Sequence, residues 1–253
     1  ANRRRAAVLV AQLLAEALSA TFSQTLSEGG SEQALRSALE TQYRDALRAM
    51  EGGARDRVEQ VYQHQALARS ETELAVMEDD LFAERAWEVF GLSRTALASV
   101  GATGGAAAGL GLDAILGGAS LFLGSAVGAV AGGAMAWFAS DQLASFSTEK
   151  LPFGEQVVQI RAGANRNLPF VLLGRARLHH ALVSRRSHAR REPLTISVDS
   201  GEAQLHLTEM DSAQQRSFAE LFERITKQAP SVDDAVVASL AELISQLFEL
   251  DDT

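Results

Sequence analysis

The chain has 253 residues, a net charge of −9 and no cysteine. That length suffices for one large domain or two small ones, each with a buried core. The missing cysteine excludes disulfides, thiolate nucleophiles and cysteine-held zinc or iron–sulfur centres. Aromatic residues make up only 6% of the chain, and the abundance of alanine favours helix over sheet.

The opening Ala1-Asn2-Arg3-Arg4-Arg5, followed by the apolar run from Ala6 to Leu14, mimics a signal peptide. Glu16 interrupts it and an amphipathic pattern takes over, which argues against secretion. The lack of an initiator methionine points to a piece of a longer chain. Residues 3–27 read as one helix, with Val10, Leu13, Leu14, Ala17 and Leu18 at three-and-four spacing, stopped by Glu28-Gly29-Gly30. Ser31 is placed to cap a second helix carrying Leu35, Leu39, Tyr43 and Leu47 on one face. Gly52-Gly53 predict a break or kink, and a further helix runs through Val58, Val61 and Tyr62. Ser70 with Glu73 forms a capping-box pair before Leu74, Met77, Leu81, Ala86 and Val89. Glu78-Asp79-Asp80 read as a solvated face of that helix rather than as paired catalytic carboxylates.

From Thr95 to Ser140 the chain carries one charge, Asp113, and eleven glycines. Gly101, Gly105 and Gly109 form one ladder of four-residue spacing, and Gly124, Gly128 and Gly132 form another. Each ladder falls on one helical face. Six mid-helix glycines cost on the order of 6 kcal/mol relative to alanine, a cost that close approach of two backbones would offset. The pattern therefore predicts a helical hairpin with arms at about 95–112 and 119–140, turning at Asp113. Both arms approach the roughly 20 residues that span a bilayer. Trp137 and Phe138 suit an interface, and the flanks would stay on the cytoplasmic side. The Gly/Ala composition gives weak transfer free energy, so a buried or conditionally inserting hairpin and a membrane hairpin both remain open.

After Pro152 the pattern shifts. Gln156–Ile160 and Leu168–Leu173 read as short strands, with Pro169 best placed on an edge. Residues 174–191 return to helical spacing. Leu194–Val198 and Ala203–Leu207 flank a hairpin turn at 199–202. Asp211 or Ser212 starts a helix through Phe218, Leu221, Phe222 and Ile225. Ser231 is expected to cap the last helix, with Asp233 and Asp234 in its first turn. These elements divide the chain into a helical bundle (1–94), a glycine-ladder hairpin (95–140), and a small sheet with a basic helix and C-terminal helices (141–253). The fold class expected is α+β, mostly α, an amphipathic bundle around the hairpin with a small antiparallel sheet.

Charge is unevenly placed. Residues 161–191 hold eight arginines and no acid, whereas 192–253 hold thirteen acids against three bases. Arg175, Arg177, His180, Arg185, Arg186, His188, Arg190 and Arg191 form a candidate anion or partner site, since the guanidinium fork suits phosphate and carboxylate. The other reading pairs them internally with Glu209, Asp211, Glu220, Glu223, Asp233 and Asp234. Nucleic acid fits poorly, because the overall charge repels it and no aromatic residue is interleaved for stacking. His179, His180 and His188 lack a nearby carboxylate, and no metal site is expected. No nucleophile elbow, zinc motif or triad spacing occurs, so no catalytic residue and no cofactor is expected.

The string Leu81-Phe82, Trp87 and Phe90-Gly91-Leu92-Ser93-Arg94, then the glycine ladder with Asp113 and Gly117-Gly118, resembles a bacterial domain of unknown function. So do Leu172-Leu173-Gly174-Arg175-Ala176 and Arg186-Ser187-His188-Ala189-Arg190-Arg191. That domain lies C-terminal to an Era/TrmE-like GTPase domain. The resemblance implies a GTPase half in cis that is missing here, and an acidic residue where Gly174 stands, to contact a nearby arginine. This chain carries no phosphate-cradling G-x-x-x-x-G-K-[ST] and no N-K-x-D of its own. The implied role is a non-enzymatic effector domain touching an anionic membrane or a membrane protein, cytoplasmic or held at the inner membrane. The competing class is a pore-forming-like protein that inserts its hairpin.

Overall fold

A computed structural model describes residues 1–27, 29–62, 80–83, 86–87, 90–91, 144–151, 155–162, 166–188 and 210–251, with the side chains of 185–188 outside that set. The elements in chain order are α1 (Asn2–Ser19), β1 (Thr21–Leu26), α2 (Glu32–Val61), β2 (Ala144–Lys150), β3 (Gln156–Ala162), α3 (Leu168–His188), α4 (Ser212–Gln228) and α5 (Asp234–Asp251). The fold is α+β and mostly helical, with one small antiparallel sheet, as composition implied.

α1 ends eight residues earlier than its apolar spacing predicts. The Ser19 hydroxyl donates to the Ala15 carbonyl at 2.7 Å, and the chain then turns extended at Ala20. Thr21-Phe22-Ser23-Gln24-Thr25 is rich in β-branched and aromatic residues, and it forms the edge strand β1. The expected single helix over 3–27 is thus a helix followed by a strand. The strand finds its partner, β3, more than 130 residues away, which no local pattern reveals. The sheet order is β1-β3-β2, and Phe22, Ile160 and Phe146 stand in one cross-strand row.

Gly29, at φ +76°, turns β1 into α2, and the Ser31 hydroxyl accepts from the Ala34 N–H at 3.3 Å, as its cap position implies. α2 then crosses the inner face of the sheet. Phe22 meets Tyr43 edge to face at 6.3 Å, and Arg36 covers the Phe146 ring at 5.3 Å. Burial raises the Tyr43 phenol above its ordinary pKa. The Thr148 hydroxyl donates to Glu32 at 3.0 Å; that bond, with Arg36, holds the Glu32 carboxyl below its usual range.

α2 does not break at Gly52-Gly53. It runs unbroken for 30 residues, with Leu39, Tyr43, Leu47, Glu51, Ala54 and Val58 buried along one stripe.

Leu168–Leu173 is not a strand but the first turns of α3. Leu168, Phe170, Val171, Leu172 and Leu173 are all buried, so the segment is apolar all round and shows no 3.6-residue period to separate helix from strand. Pro169 sits in the first turn, where no backbone N–H is needed. α4 starts at a full capping box, Asp211 with Gln214. α5 is capped by Asp233, which accepts from the Ala235 N–H at 2.9 Å, and not by Ser231. α1 packs chiefly on α5 and α2, and one apolar cluster joins the helices on both sides of the 63–143 span. The glycine ladders, Asp113, the Ser70 cap and the 194–207 hairpin all lie outside the described residues.

A Cβ added at Gly52 or Gly53 would meet nothing within 4 Å, so neither glycine serves close packing. Gly52→Ala and Gly53→Ala should each stabilise the fold by about 0.5–1 kcal/mol. A rise in the urea midpoint at unchanged m-value is the expected result; a fall would show a constraint at these positions that the packing does not.

Candidate functional site

α3 is the centre of the polar architecture. Its residues 175 and 177 project about 200° apart around the helix axis, and each carries a buried arginine. Arg175 Nε donates to Glu51 Oε1 on α2 at 2.6 Å, and both side chains are buried. Glu51 is shared with Arg55, one turn on. On the other side, Arg177 Nε donates to Asp251 Oδ2 on α5 at 2.7 Å, and a second guanidinium nitrogen engages Oδ1, giving a bidentate pair. His180, fully buried, stacks on Phe248 of α5 with ring centroids 3.8 Å apart and 6° between planes. Its Nε2 lies 2.8 Å from the Tyr62 hydroxyl at the end of α2. Burial lowers its pKa from 6.5 to about 4, the nearby Asp251 carboxylate only partly opposing.

These positions correct the sequence expectation for Arg175, Arg177 and His180. All three face inward, and the two arginines are neutralised within the fold. Of their partners, Asp251 lies in the acidic 192–253 segment that the internal reading invoked, though not among the acids it named, and Glu51 lies outside that segment. Arg185, Arg186 and His188 belong to the last turn of α3, but their side chains, like Arg190 and Arg191, lie outside the described residues. What α3 brings together is thus an internal charge seam.

The sequence reading missed Glu51, Asp251 and Tyr62. A signal for the two acids exists. Glu51 falls on the buried stripe of α2 between Leu47 and Ala54, and Asp251 prolongs the stripe Leu240, Ile244, Leu247 and Phe248 of α5. A lone acid on an apolar stripe is buried, and a buried carboxylate needs a cation.

A second constellation docks the stretch before the glycine ladders. Asp80 receives Arg48 through Nε at 2.9 Å and a terminal nitrogen at 2.7 Å. That hydrogen-bonded pairing holds the Asp80 carboxyl below its usual range, so Asp80 is a docking acid. Phe82 lies under Arg44 and Arg48 at 5.1 and 5.0 Å. The buried Trp87 donates Nε1–H to the Leu81 carbonyl at 2.8 Å. Phe90 lies under Arg175 at 5.8 Å.

Two glycines permit this approach. A Cβ on Gly91 would stand 2.5 Å from Asn167 Nδ2. One on Gly174 would stand 3.0 Å from the Phe90 carbonyl oxygen and 3.1 Å from its Cβ. The acidic residue anticipated at 174 has no room there, and Arg175 takes its carboxylate from Glu51.

The residues flanking the intervening stretch are anchored on parts of the fold that are close in sequence. Gly91 packs on Asn167, while Ala144 pairs with Ala162 at the start of β2. Ala162 and Asn167 are five residues apart, which bounds their separation at about 18 Å.

Among the described residues no cluster of three or more His, Cys, Asp or Glu side chains could hold a metal ion. Among the same residues no helix is long and apolar enough to cross a membrane.

Breaking the α3–α5 pair should be expensive. Arg177→Ala or Asp251→Ala alone leaves an uncompensated buried charge and should cost about 3–5 kcal/mol. Joint replacement, Arg177→Leu with Asp251→Leu, should cost clearly less than the sum of the single variants in denaturant titrations; additivity would show that the pair is not coupled. Gly174→Glu should lose about 1–3 kcal/mol through overpacking. In a Trp137→Phe background it should red-shift Trp87 emission as the 80–91 stretch undocks, and an unshifted spectrum would refute that packing.

A family model described as a domain of unknown function, DUF3482, matches residues 1–247 of this chain. No curated protein and no solved structure matches it significantly.

Proposed function

The chain belongs to the DUF3482 family, and on that footing we propose that it is a non-enzymatic effector or regulatory domain of a bacterial GTPase. It works by presenting residues 95–140 to a membrane or a membrane protein. The observation that carries this reading is the anchoring of Gly91 on Asn167 and of Ala144 on Ala162, five residues apart in sequence, which suits a segment sent out from the fold and brought back. The 46 residues from Thr95 to Ser140 hold a single charge, Asp113. A nearly charge-free excursion anchored in this way fits a helical hairpin packed along its Gly101, Gly105, Gly109 and Gly124, Gly128, Gly132 ladders.

The arginine contribution is narrower than the sequence alone suggested. Arg175 and Arg177 are occupied inside the fold, so an anionic surface would be met by Arg185, Arg186, His188, Arg190 and Arg191. Nucleotide recognition belongs to the GTPase half in cis, and the switch it undergoes would reach the hairpin through the docked 80–91 stretch. This reading puts the domain on the cytoplasmic side, peripheral or integral at the inner membrane.

The test is vesicle flotation with a dye-release arm. The chain should float with phosphatidylglycerol-containing vesicles without releasing dye, bind neutral phosphatidylcholine vesicles less, and lose binding as salt rises. Replacing Gly105 and Gly128 by leucine should weaken the association. Dye release by this chain alone would favour the pore-forming class instead. No association at any salt or pH would overturn the membrane contact and leave a purely protein partner.

A further inference from the structure

The last turns of α2 are built unlike the rest of that helix. Gly52 and Gly53 lie side by side about two-thirds of the way along it, with open space around both. Each lowers the local cost of bending, and no neighbour requires either. Beyond them, Ala54 and Val58 stay on the buried stripe, and two consecutive histidines of α3 add polar contacts to residues 55–62. His179 Nε2 lies 3.3 Å from the Arg55 carbonyl oxygen and 3.7 Å from a Glu59 carboxylate oxygen. His180 Nε2 lies 2.8 Å from the Tyr62 hydroxyl. Tyr62 is also the last residue before the chain departs into the 63–79 span.

We propose that residues 54–62 form a hinged arm, pivoting at Gly52-Gly53 and latched to α3 by the His180–Tyr62 contact, which acid releases. This inference is independent of the membrane reading. His180 is the proton-sensitive part. Its neutral ring makes one bond, to Tyr62, and stacks on Phe248, while Nδ1 is buried with no hydrogen-bond partner among the described residues. Protonation turns both ring nitrogens into donors and places a charge in an apolar setting.

The groups facing the ring decide whether that charge is compensated. They are Tyr62 from α2, Asp251 from α5, Arg3 from α1 and His179 on α3 itself. Asp251 is the only anion among them, and Arg177 already holds both its oxygens. Arg3 and His179 add positive charge. Charging His179 would tighten its contact with Glu59, but Glu59 is one-third exposed, so solvent screens that gain.

The sign follows directly. The latched state binds fewer protons than the released one, so latching is full above the ordinary histidine pKa of 6.5 and declines as pH falls toward about 4.

The test is hydrogen exchange on the folded chain, read as protection factors at pH 7 and pH 5. Residues 54–62 should lose about twentyfold in protection, the change that a shift from 6.5 to about 4 gives over that interval. Residues 34–50 of the same helix should change less than twofold. Gly52→Ala with Gly53→Ala should reduce the loss, and His180→Phe, which keeps the stack on Phe248, should abolish it. Parallel loss in both halves of α2, or an undiminished pH effect in His180→Phe, overturns the proposal. Should His180→Phe not fold, NMR titration of the His180 ring in the unaltered protein decides. A folded-state midpoint below 5 supports the latch, and one near 6.5 removes it.

Discussion

Helix α3 is buried along most of its length and nevertheless carries two arginines, each needing its own carboxylate. Arg175 reaches Glu51 on α2 and Arg177 reaches Asp251 on α5, on opposite sides of the axis. A buried ion pair of this kind adds little net stability over an apolar packing of the same volume, but a mismatched one is strongly penalised. The two pairs therefore act mainly as selectors. They fix the rotation of α3 about its own axis and its height against both neighbours. A slip by one residue would break both pairs and leave the buried Asp251 without its cation. The position of His180 between Tyr62 and Phe248 follows from that registration, and so does the close seat of Phe90 against Gly174.

The glycines divide by what surrounds them. Gly91 and Gly174 are small because backbone or an amide presses on them, and a methyl group would collide. Gly52 and Gly53 have room, so their smallness does not serve contact and leaves conformational freedom as its effect. Residue type alone does not separate these cases; the neighbouring atoms do.

What sequence reading recovered was set by local physics. The α2 face of Leu39, Tyr43 and Leu47, the Ser31 cap and the Phe218, Phe222 and Ile225 face of α4 rest on periodicity and capping within a few residues, and they appear where expected. The errors share a different origin. β1 looked helical because its neighbour Leu18 closes a good helical stripe, while its strand partner lies far along the chain. The start of α3 looked like a strand because a helix buried on every side loses its period. β2 went unassigned although Ser145, Phe146, Ser147 and Thr148 alternate. The arginine cluster was legible as a feature, but its direction was not. Whether a guanidinium faces solvent or a carboxylate depends on helices from distant parts of the chain.

The packing of α1 against α5, sealed at its rim by the Arg3–Glu249 pair at 2.8 Å, joins residues 246 positions apart. Such a contact closes a loop of 246 residues, a costly closure in chain entropy. During synthesis, the apolar face of Ala6, Val10 and Leu14 emerges long before α5, its principal partner, clears the ribosome. The vulnerable period of this fold is therefore its birth, when an early helix with no finished core beside it is open to chaperones and to unwanted association.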